Sequence, residues 1–373
     1  MVKEKFVVTP WEVRGKVDYN RLIKKFGTQP ISNDLLKRIE RHTGKLHFML
    51  RRGIFFSHRD FDWILDKYEN GEKFFLYTGR GPSGRTHLGH LIPWIFTKWL
   101  QDKFDAELYF QITDDEKFLV KPKLTLEDTT KLAHENILDV IACGFDPKKT
   151  FIFTDTGYAK TQYKLAIQIA KYVTFSTAKA VFGFRNSSNI GITFFPAVQA
   201  VPCFLPSVLK GKNIPCLIPA AIDQDPYWRI ARDVAPKLGF YKPAQIHCKF
   251  IPSLGPEGKM SASEPGNTIF TTDTPGQVEK KIMNAFTGQR ATAEEQRKYG
   301  GNPDICSICQ YYYFLFERDE EKLEEIFEGE RSGKLLAGEH KRALAERIKK
   351  FIMEHQRKRE KAKDMIHRFI LAD

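Results

Sequence analysis

Cysteine is scarce in this sequence, with six residues in a chain of 373. So low a content excludes the dense disulfide framework that stabilises small secreted domains. Residues 1–10 contain no apolar segment of the kind found in secretory signals. We therefore expect reduced thiols, no disulfides and a cytoplasmic protein.

One cysteine pair, Cys306 and Cys309, has CxxC spacing. Zinc and redox motifs of this kind usually come with a second CxxC or with accompanying histidine ligands. Neither is evident in the sequence, so packing in a helical core is favoured over a metal or redox site. We expect no metal site in this chain.

Long apolar runs are also missing. Although the chain has 30 phenylalanines, no stretch approaches the length of a transmembrane helix, and no membrane association is expected. The hydrophobic content of 42% is sufficient for a substantial core. A chain of 373 residues has room for two domains, or for one large domain with a helical appendage.

Acidic residues are fewer than basic ones, 46 against 59, which gives a formal charge of +13. Such an excess predicts an anionic partner. Basic residues crowd towards the C-terminus, above all in residues 356–363. Taken alone, that stretch is better explained as a solvated helix face, because glutamates such as Glu354 and Glu360 interrupt it. A nucleic-acid surface becomes the better interpretation once the motifs below are counted.

The order of apolar segments predicts an α/β fold. Short β-rich runs at Phe74–Tyr77, Leu108–Ile112, Phe151–Phe153 and Ile214–Pro219 are separated by helical patterns such as Leu91–Phe104. This alternation is typical of a Rossmann-type, doubly wound parallel sheet. We predict a small β-patch and helices over 1–72, the α/β domain over 73–272, and an all-helical domain over 273–373. The patch is expected at residues 6–13, and Thr274 to Gln277 has the form of a capping box that starts the helical domain.

The glycine-rich segment from Gly79 to Gly84 matches GxGxxG, and its extension to Thr86 nearly matches a P-loop. A dinucleotide fingerprint requires backbone N–H groups turned towards the pyrophosphate, and Pro82 has none. A P-loop requires a lysine where this chain has Arg85. A dehydrogenase and a P-loop kinase are therefore both disfavoured, although a nucleotide at the carboxyl end of the sheet is expected in each case.

Two short motifs point to phosphate chemistry. His87-Leu88-Gly89-His90 follows an apolar strand and offers imidazole donors at a helix start, where backbone N–H groups and the helix dipole favour phosphate. Lys259-Met260-Ser261-Ala262-Ser263 offers a flexible ammonium and small hydroxyl residues on a loop. A carboxylate attacking α-phosphorus is already ionised, so these groups act by positioning and charge stabilisation. The pair indicates an enzyme that activates a carboxylate with ATP.

Together the two motifs resemble the HIGH and KMSKS signatures of class I aminoacyl-tRNA synthetases. Ala262 and the context GRGPSGRTHLGH are similar to the eukaryotic and archaeal type of tryptophanyl-tRNA synthetase. Further matches are LYTGRGPS at 76–83, QITDDEK at 111–117, FPAVQA at 195–200 and AIDQDPYWR at 221–229. The resemblance implies a Rossmann-type catalytic domain, a helical anticodon-recognition domain and a homodimer. It also implies tRNA(Trp), L-tryptophan and ATP with Mg²⁺ as partners.

The resemblance also assigns site residues. It makes His87, His90 and Lys259 catalytic. Tryptophan is expected to contact Tyr77 and Gln111 through the indole N–H, which needs an acceptor, and its ammonium is expected near Glu116, Gln199 and Gln224. The residues expected to bind ATP are Gly79, Arg80, His87, Gly89, His90, Lys117, Lys259, Met260, Ser261 and Ser263.

Two departures and two alternatives accompany this interpretation. We expect the chain to lack the additional N-terminal helical hairpin of some members. Leu88 replaces the second residue of HIGH, a conservative apolar change. A tyrosyl enzyme of the same fold would need a carboxylate facing the phenol, where this chain has Gln111. A non-catalytic RNA-binding paralogue would not need intact His87, His90 and Lys259.

Overall fold

The computed structural model describes residues 7–8, 13–15 and 17–373. Near the N-terminus β1 (Val7–Val8) pairs antiparallel with β2 (Val13–Arg14), with Val7 opposite Arg14. The expected β-patch is confirmed for these two strands. The rest of its predicted range, residues 6 and 9–12, lies outside the described residues.

Seven strands form one sheet in the spatial order β3-β4-β9-β8-β5-β6-β7. They are β3 (Gln29–Pro30), β4 (Phe55–Arg59), β5 (Phe75–Arg80), β6 (Glu107–Ile112), β7 (Thr150–Thr154), β8 (Cys216–Ala221) and β9 (Ala244–Cys248). The strands from β9 to β7 are parallel to one another, whereas β3 and β4 are antiparallel additions at one edge. The four apolar runs correspond to β5, β6, β7 and β8, which confirms the doubly wound parallel arrangement.

β4 and β9 were not predicted, because buried polar residues interrupt their apolar pattern. Ser57 on β4 and His247 on β9 are fully buried and lie 3.0 Å apart, from Oγ to Nδ1. Gln245 Oε1 lies 3.0 Å from the other ring nitrogen of His247. The hydrogen bonds offset the cost of burying these groups. Part of the region 1–72 therefore belongs to the same sheet as β5 to β9.

The helices pack on both faces of this sheet. They are α1 (Tyr19–Phe26), α2 (Asn33–Thr43), α3 (Phe48–Arg51), α4 (Phe61–Glu69), α5 (Leu88–Phe104), α6 (Asp114–Val120), α7 (Leu126–Ala142), α8 (Ala159–Ala170), α9 (Phe175–Phe182), α10 (Ile190–Ala200), α11 (Leu205–Leu209), α12 (Asp225–Val234), α13 (Pro275–Met283), α14 (Ala293–Tyr299), α15 (Ser307–Tyr311), α16 (Glu320–Arg331) and α17 (Ala337–Met365). Since side chains alternate along a strand, Leu76 of β5 joins a core with α5 and α7, while Tyr77 joins a second core with α8, α10 and α12.

Helix α5 begins three residues earlier than the predicted Leu91, because His87 caps it. Pro93 therefore does not lie in the first turn, as the sequence suggested, but in the second. There its ring nitrogen has no proton to donate to the carbonyl of Gly89.

The capping-box prediction for α13 is confirmed. Thr274 Oγ1 accepts from the N–H of Gln277 at 3.3 Å, and Gln277 Oε1 accepts from the N–H of Thr274 at 2.9 Å.

The region after residue 273 is helical, and α17 ties it to the sheet. Leu344, Ile348 and Ile352 are buried on one face of α17, as their spacing predicts. Beyond α17 the chain reaches the edge of the sheet, where Ile152 of β7 donates to the carbonyl of Phe369 and accepts from the N–H of Leu371, both at 2.7 Å. The C-terminal residues thus cover the β7 edge. Within the described part of the chain, every helix is too short or too polar to span a bilayer.

Candidate active site

The predicted site residues gather at the carboxyl ends of three neighbouring parallel strands, β8, β5 and β6. β5 ends at Arg80, β6 ends at Ile112, and β8 ends at Ala221. The edge of the sheet where parallel strands end is the usual ligand position in open α/β folds. The loops that carry His87 and Lys259 approach each other at this edge, since the N–H of Leu88 donates to the carbonyl of Ile269 at 3.1 Å.

Three predicted residues meet in a buried cluster. Tyr77 and Gln111 point to the same face of the sheet, because Tyr77 pairs with Tyr109 and Gly79 pairs with Gln111 in the register of β5 and β6. Tyr77 O–H donates to Gln111 Oε1 at 2.6 Å. Gln199 Nε2 of α10 donates to Tyr77 Oη at 2.5 Å and to Gln111 Oε1 at 3.0 Å. The side-chain NH₂ group of Gln199 therefore bridges both expected indole acceptors.

The amide of Gln111 is oriented by a residue that the sequence did not single out. Gln111 Nε2 donates to Asp155 Oδ1 at 2.8 Å, which leaves Oε1 facing Tyr77. Burial, and then the carboxyl of Asp115, raises the pKa of Asp155 well above its usual range. Burial raises the pKa of Asp115 to about 6. Asp155 follows β7 with no motif around it, so its only sequence signal is an acid at the end of an apolar strand.

Glu116 and Lys117 lie on α6 beside this cluster. Glu116 Oε2 accepts from Thr113 Oγ1 at 3.0 Å, and Glu116 Oε1 accepts from Lys117 Nζ at 2.8 Å. Lys117 packs against Gly81, where an added Cβ would lie 2.1 Å from Lys117 Cε. A side chain at position 81 would therefore displace the flexible end of Lys117.

Gln224 is the last predicted amino-acid contact. It ends a short 3₁₀ turn and is half-buried at the start of α12. Among the residues that the structure describes, its side chain makes no hydrogen bond to Tyr77, Gln111 or Gln199. Its assignment remains a prediction.

The two histidines of the first motif form a reciprocal cap on α5. His87 Nδ1 accepts from the N–H of Gly89 at 3.2 Å, and His90 Nδ1 accepts from the N–H of His87 at 3.1 Å. The imidazole rings stack 3.6 Å apart. Because each Nδ1 is an acceptor, each neutral ring carries its proton on Nε2. An added Cβ on Gly89 would lie 3.0 Å from the His87 ring, a tight contact that would press on the imidazole.

Both histidines are electrically neutral in this environment. Burial, followed by the nearby charges of Arg80 and Lys259, lowers the pKa of His87 well below its usual range, and burial and Arg80 do the same to the pKa of His90. Each ring therefore offers a neutral Nε2–H donor at pH 7. Such donors suit phosphate oxygens and do not act as general bases.

Arg80 supplies a buried positive charge between the histidines and α7. Its Nε donates to Asn136 Oδ1 at 2.9 Å, and Asn136 Nδ2 donates to the carbonyl of Gly84 at 3.0 Å. Arg80 Nη2 is buried without a partner. Burial lowers the pKa of Arg80 to about 10, so the guanidinium stays charged at pH 7. A buried unpartnered donor of this kind is costly unless a ligand satisfies it.

The ammonium group of Lys259 is paired with a carboxylate rather than with the residues expected to bind phosphate. Its Nζ donates to Asp223 Oδ2 at 3.1 Å and lies 4.7 Å from the centre of the Phe250 ring. Asp223 lies in the matched segment 221–229, but no feature of that segment singles it out. About 30% of the Lys259 side chain remains exposed.

The rest of the second motif joins the first directly. Met260 is buried, and its Sδ accepts from the N–H of Gly89 at 3.4 Å. Ser261 and Ser263 hydroxyls are 2.9 Å apart, and Thr268 Oγ1 donates to the carbonyl of Ser261 at 2.7 Å. The two motifs therefore form one continuous structure.

The basic stretch at 356–363 divides into two kinds of residue. Arg357 and Lys361 are exposed on α17. Arg359 is buried, with its Nη2 2.6 Å from Glu135 Oε2 and its Nη1 3.3 Å from Asp139 Oδ1. Lys358 and Lys363 pair with Glu354 and Glu360, as a solvated helix face would. Arg359 is thus structural, whereas Arg357 and Lys361 are accessible to a partner.

Comparison with known proteins places these features in a family. The sequence profile described as tRNA synthetases class I (W and Y) matches residues 69–353. The tryptophan–tRNA ligase of Sulfolobus acidocaldarius is 56% identical over 367 residues, which cover 98% of this chain and 95% of that protein. The enzyme of the same name from Pyrococcus furiosus is 54% identical over 371 residues, which cover 99% of this chain and 94% of that protein.

Solved structures agree with the sequence comparison. The tryptophanyl-tRNA synthetase from Giardia lamblia superposes with a TM-score of 0.89 at 41% identity, covering 95% of this chain and 96% of that one. The enzyme from Encephalitozoon cuniculi bound to tryptophan superposes with a TM-score of 0.87 at 39% identity, covering 95% of this chain and 98% of that one.

Proposed function

The chain belongs to the class I tRNA synthetases of the tryptophan and tyrosine group, and within it to the tryptophan–tRNA ligases; on this premise we propose how its site works. The enzyme activates L-tryptophan with ATP to tryptophanyl-adenylate and pyrophosphate, and then transfers tryptophan to tRNA. The bridged cluster of Tyr77, Gln111 and Gln199 is the observation that carries the assignment of roles. The tyrosyl and non-catalytic alternatives have no comparable support.

Tyr77 and Gln111 accept the indole N–H of tryptophan. In the free structure Gln199 Nε2 donates to both acceptors, at 2.5 and 3.0 Å, and so stands where the indole donor would bind. Tryptophan must displace this N–H and supply its own. Because burial raises the pKa of Tyr77 well above its usual range, the phenol stays protonated and orders the acceptors.

The displaced Gln199 and the carboxylate of Glu116 receive the substrate ammonium, together with Gln224. Glu116 is buried and already accepts from Lys117 Nζ at 2.8 Å. A substrate ammonium takes over this ion pair, which frees Lys117 for the carboxylate or phosphate of the adenylate. The exchange keeps the buried carboxylate paired in both states, as its burial requires.

Arg80, His87 and His90 bind the phosphates, with Gly79 and Gly89 allowing close approach. Arg80 Nη2 is a buried donor without a partner, and the two imidazoles present Nε2–H donors beside it. Donors fixed before the reaction stabilise charge on the α-phosphate without reorganisation. The tryptophan carboxylate attacks α-phosphorus in line, and pyrophosphate leaves.

Lys259 acts on the departing pyrophosphate, with Met260, Ser261 and Ser263 holding its loop. In the free structure Lys259 is paired with Asp223 at 3.1 Å. ATP provides a higher negative charge, so the ammonium moves from Asp223 to the β- and γ-phosphates. Mg²⁺ enters as the complex of ATP, since the phosphate end of this site is built from hydrogen-bond donors.

Transfer to tRNA uses the helical region after residue 273 as the anticodon-recognition domain. Exposed Arg357 and Lys361 on α17 supply phosphate contacts.

Apolar side chains exposed on helices α8, α9 and α10, which pack against one another, support a homodimer. They are Tyr163, Ile167, Phe175 and Ile190, and Ile190 is 87% exposed. Exposed apolar patches of this kind mark protein interfaces.

ATP–pyrophosphate exchange with each of the twenty amino acids tests the proposal. We expect exchange with tryptophan alone, followed by charging of tRNA(Trp). Gln111→Ala should reduce the preference for tryptophan over its benzothiophene analogue, which keeps the shape but lacks the N–H. Equal exchange with tyrosine, or a preference that Gln111→Ala leaves unchanged, would contradict the assigned roles.

A further inference from the structure

Four buried side chains in the helical C-terminal region surround one point. They are Cys306, Cys309, Glu330 and His340, and their ligand atoms all lie within 4.8 Å of one another. We propose that these four residues bind a structural Zn²⁺ ion. Two thiolates, an imidazole and a carboxylate are zinc ligands, and a closed set of four suits a tetrahedral structural site.

Three separate elements deliver the ligands. Cys306 caps α15, and Cys309 lies one turn further along the same helix, so that both sulfurs share a side. Glu330 lies in the last turn of α16, and His340 lies in the first turn of α17. The CxxC pair looked like core packing in the sequence because Glu330 and His340 come from two later helices. Folding supplies the ligands that the local sequence lacks.

The hydrogen bonding within this cluster is incomplete in a way that a cation would complete. His340 is 2% exposed, and neither ring nitrogen has a hydrogen-bond partner. Glu330 is fully buried, and its Oε1 also has none. His340 Nδ1 lies 3.4 Å from Glu330 Oε2 without forming a hydrogen bond. Buried polar groups left unpaired are costly, whereas metal ligands are satisfied by the ion.

The surroundings hold the ligands in position. Gln289 Nε2 donates to Glu330 Oε2 at 2.6 Å and to the carbonyl of Leu335 at 3.1 Å. The His340 ring stacks on Tyr312 at 5.3 Å, with the planes 10° apart. Outer partners that orient ligands in this way are typical of metal sites.

The proposed ion joins three helices and supports the loop of the second motif. Ser307, next to Cys306, donates through Oγ to the carbonyl of Gly255 at 3.2 Å, shortly before Lys259 in the chain. Zn²⁺ bound here adds no chemistry to the reaction. It stabilises α15, α16 and α17 against one another and so the base on which the Lys259 loop rests.

Metal content of the whole protein, purified without a histidine tag, provides the direct test. Elemental analysis should give one zinc per chain, and Co²⁺ exchanged into the site should show the thiolate charge-transfer and visible bands of tetrahedral coordination. Less than about a tenth of an equivalent after incubation with Zn²⁺, a disulfide between the two cysteines, or iron in place of zinc would overturn the proposal.

Variants separate a metal site from ordinary core packing. Cys306→Ser and Cys309→Ser should lose the metal, while Cys143→Ser, which changes a free cysteine directly after α7, should retain it. Gln289→Ala should weaken zinc affinity about 10- to 100-fold, the usual effect of losing an outer partner. If the cysteine variants do not fold, the Co²⁺ spectrum and chelator-dependent melting of the wild-type protein still decide. Zinc retained by both cysteine variants would also refute the assignment.

Discussion

Asp155 Oδ1 accepts a hydrogen bond from the side-chain amide of Gln111 at 2.8 Å. An amide can present either its oxygen or its nitrogen to a ligand, and this bond selects the oxygen. Under the roles proposed above, Asp155 therefore decides whether the pocket end offers an acceptor to the indole, although it lies behind Gln111. We propose that it is a positioning residue for tryptophan.

Asp155→Ala should lower kcat/KM for tryptophan in pyrophosphate exchange by about 10- to 100-fold, because Gln111 then loses its fixed orientation, an effect of about 1–3 kcal/mol. Discrimination against the benzothiophene analogue should fall in parallel. Asp146→Ala, at a position outside the site, serves as the control and should change neither. An unchanged discrimination ratio in Asp155→Ala would show that the amide is oriented by other contacts.

Lys259→Ala should slow adenylate formation by about 100- to 1000-fold, the usual effect of removing one preorganised charge contact. Tryptophan affinity should change little, since Lys259 contacts Asp223 and Phe250 rather than the Tyr77 cluster. Single-turnover kinetics and tryptophan titration measure the two quantities. Lys212→Ala, on an exposed loop, is the control, and wild-type rates in Lys259→Ala would remove this residue from the mechanism.

Asp115 makes the folding stability depend on pH with a definite sign. Its pKa is raised to about 6 by burial, so the folded state favours the protonated carboxyl, and this stabilisation is lost as pH rises through about 6. Asp115→Asn should therefore raise the free energy of unfolding above that of the wild type at pH 8. This gain over the wild type should be about 1–3 kcal/mol larger at pH 8 than at pH 5. Urea unfolding at both pH values measures the difference.

Asp128→Asn is a control, because the stability contribution of Asp128 depends on pH with the opposite sign. Backbone and side-chain hydrogen bonds from Thr125 lower the pKa of Asp128, so its contribution is present at neutral pH and lost in acid. The Asn variant should be less stable than the wild type at pH 8, and the deficit should shrink as the pH falls below the usual carboxyl range. The same pH dependence in both variants would contradict the Asp115 prediction.

Replacing Arg357 and Lys361 with glutamine should weaken the salt dependence of tRNA binding, because fewer counterions are released. The slope of the logarithm of the binding constant against the logarithm of salt concentration should become shallower by about one to two. Pyrophosphate exchange should not change. Arg359→Gln should instead destabilise the fold, since it leaves Asp139 and Glu135 without their buried cation. A slope unaltered by the double replacement would leave this face of α17 as solvated surface.

The sequence predicted those parts of the site that lie in short motifs, because the spacing of His87, Gly89 and His90 is itself the geometry of a helix cap. The resemblance also marked Tyr77 and Gln111, and the structure brings their side chains together. That they hold the indole N–H stays a prediction. Asp155, Asn136 and Asp223 could not be found, because each acts through side-chain hydrogen bonds to residues far away in the sequence. Strand β9 was missed for a related reason, since its buried His247 and Gln245 look like surface residues until their partners are known.

The pairing of Phe369 and Leu371 with Ile152 has a consequence for synthesis of the protein. During synthesis β7 leaves the ribosome long before residues 369–371, so the edge of the nascent sheet is unprotected until that segment emerges. Exposed edges of this kind template association between chains. A chain truncated before Phe369 would keep every motif of the active site and still yield a product prone to aggregate.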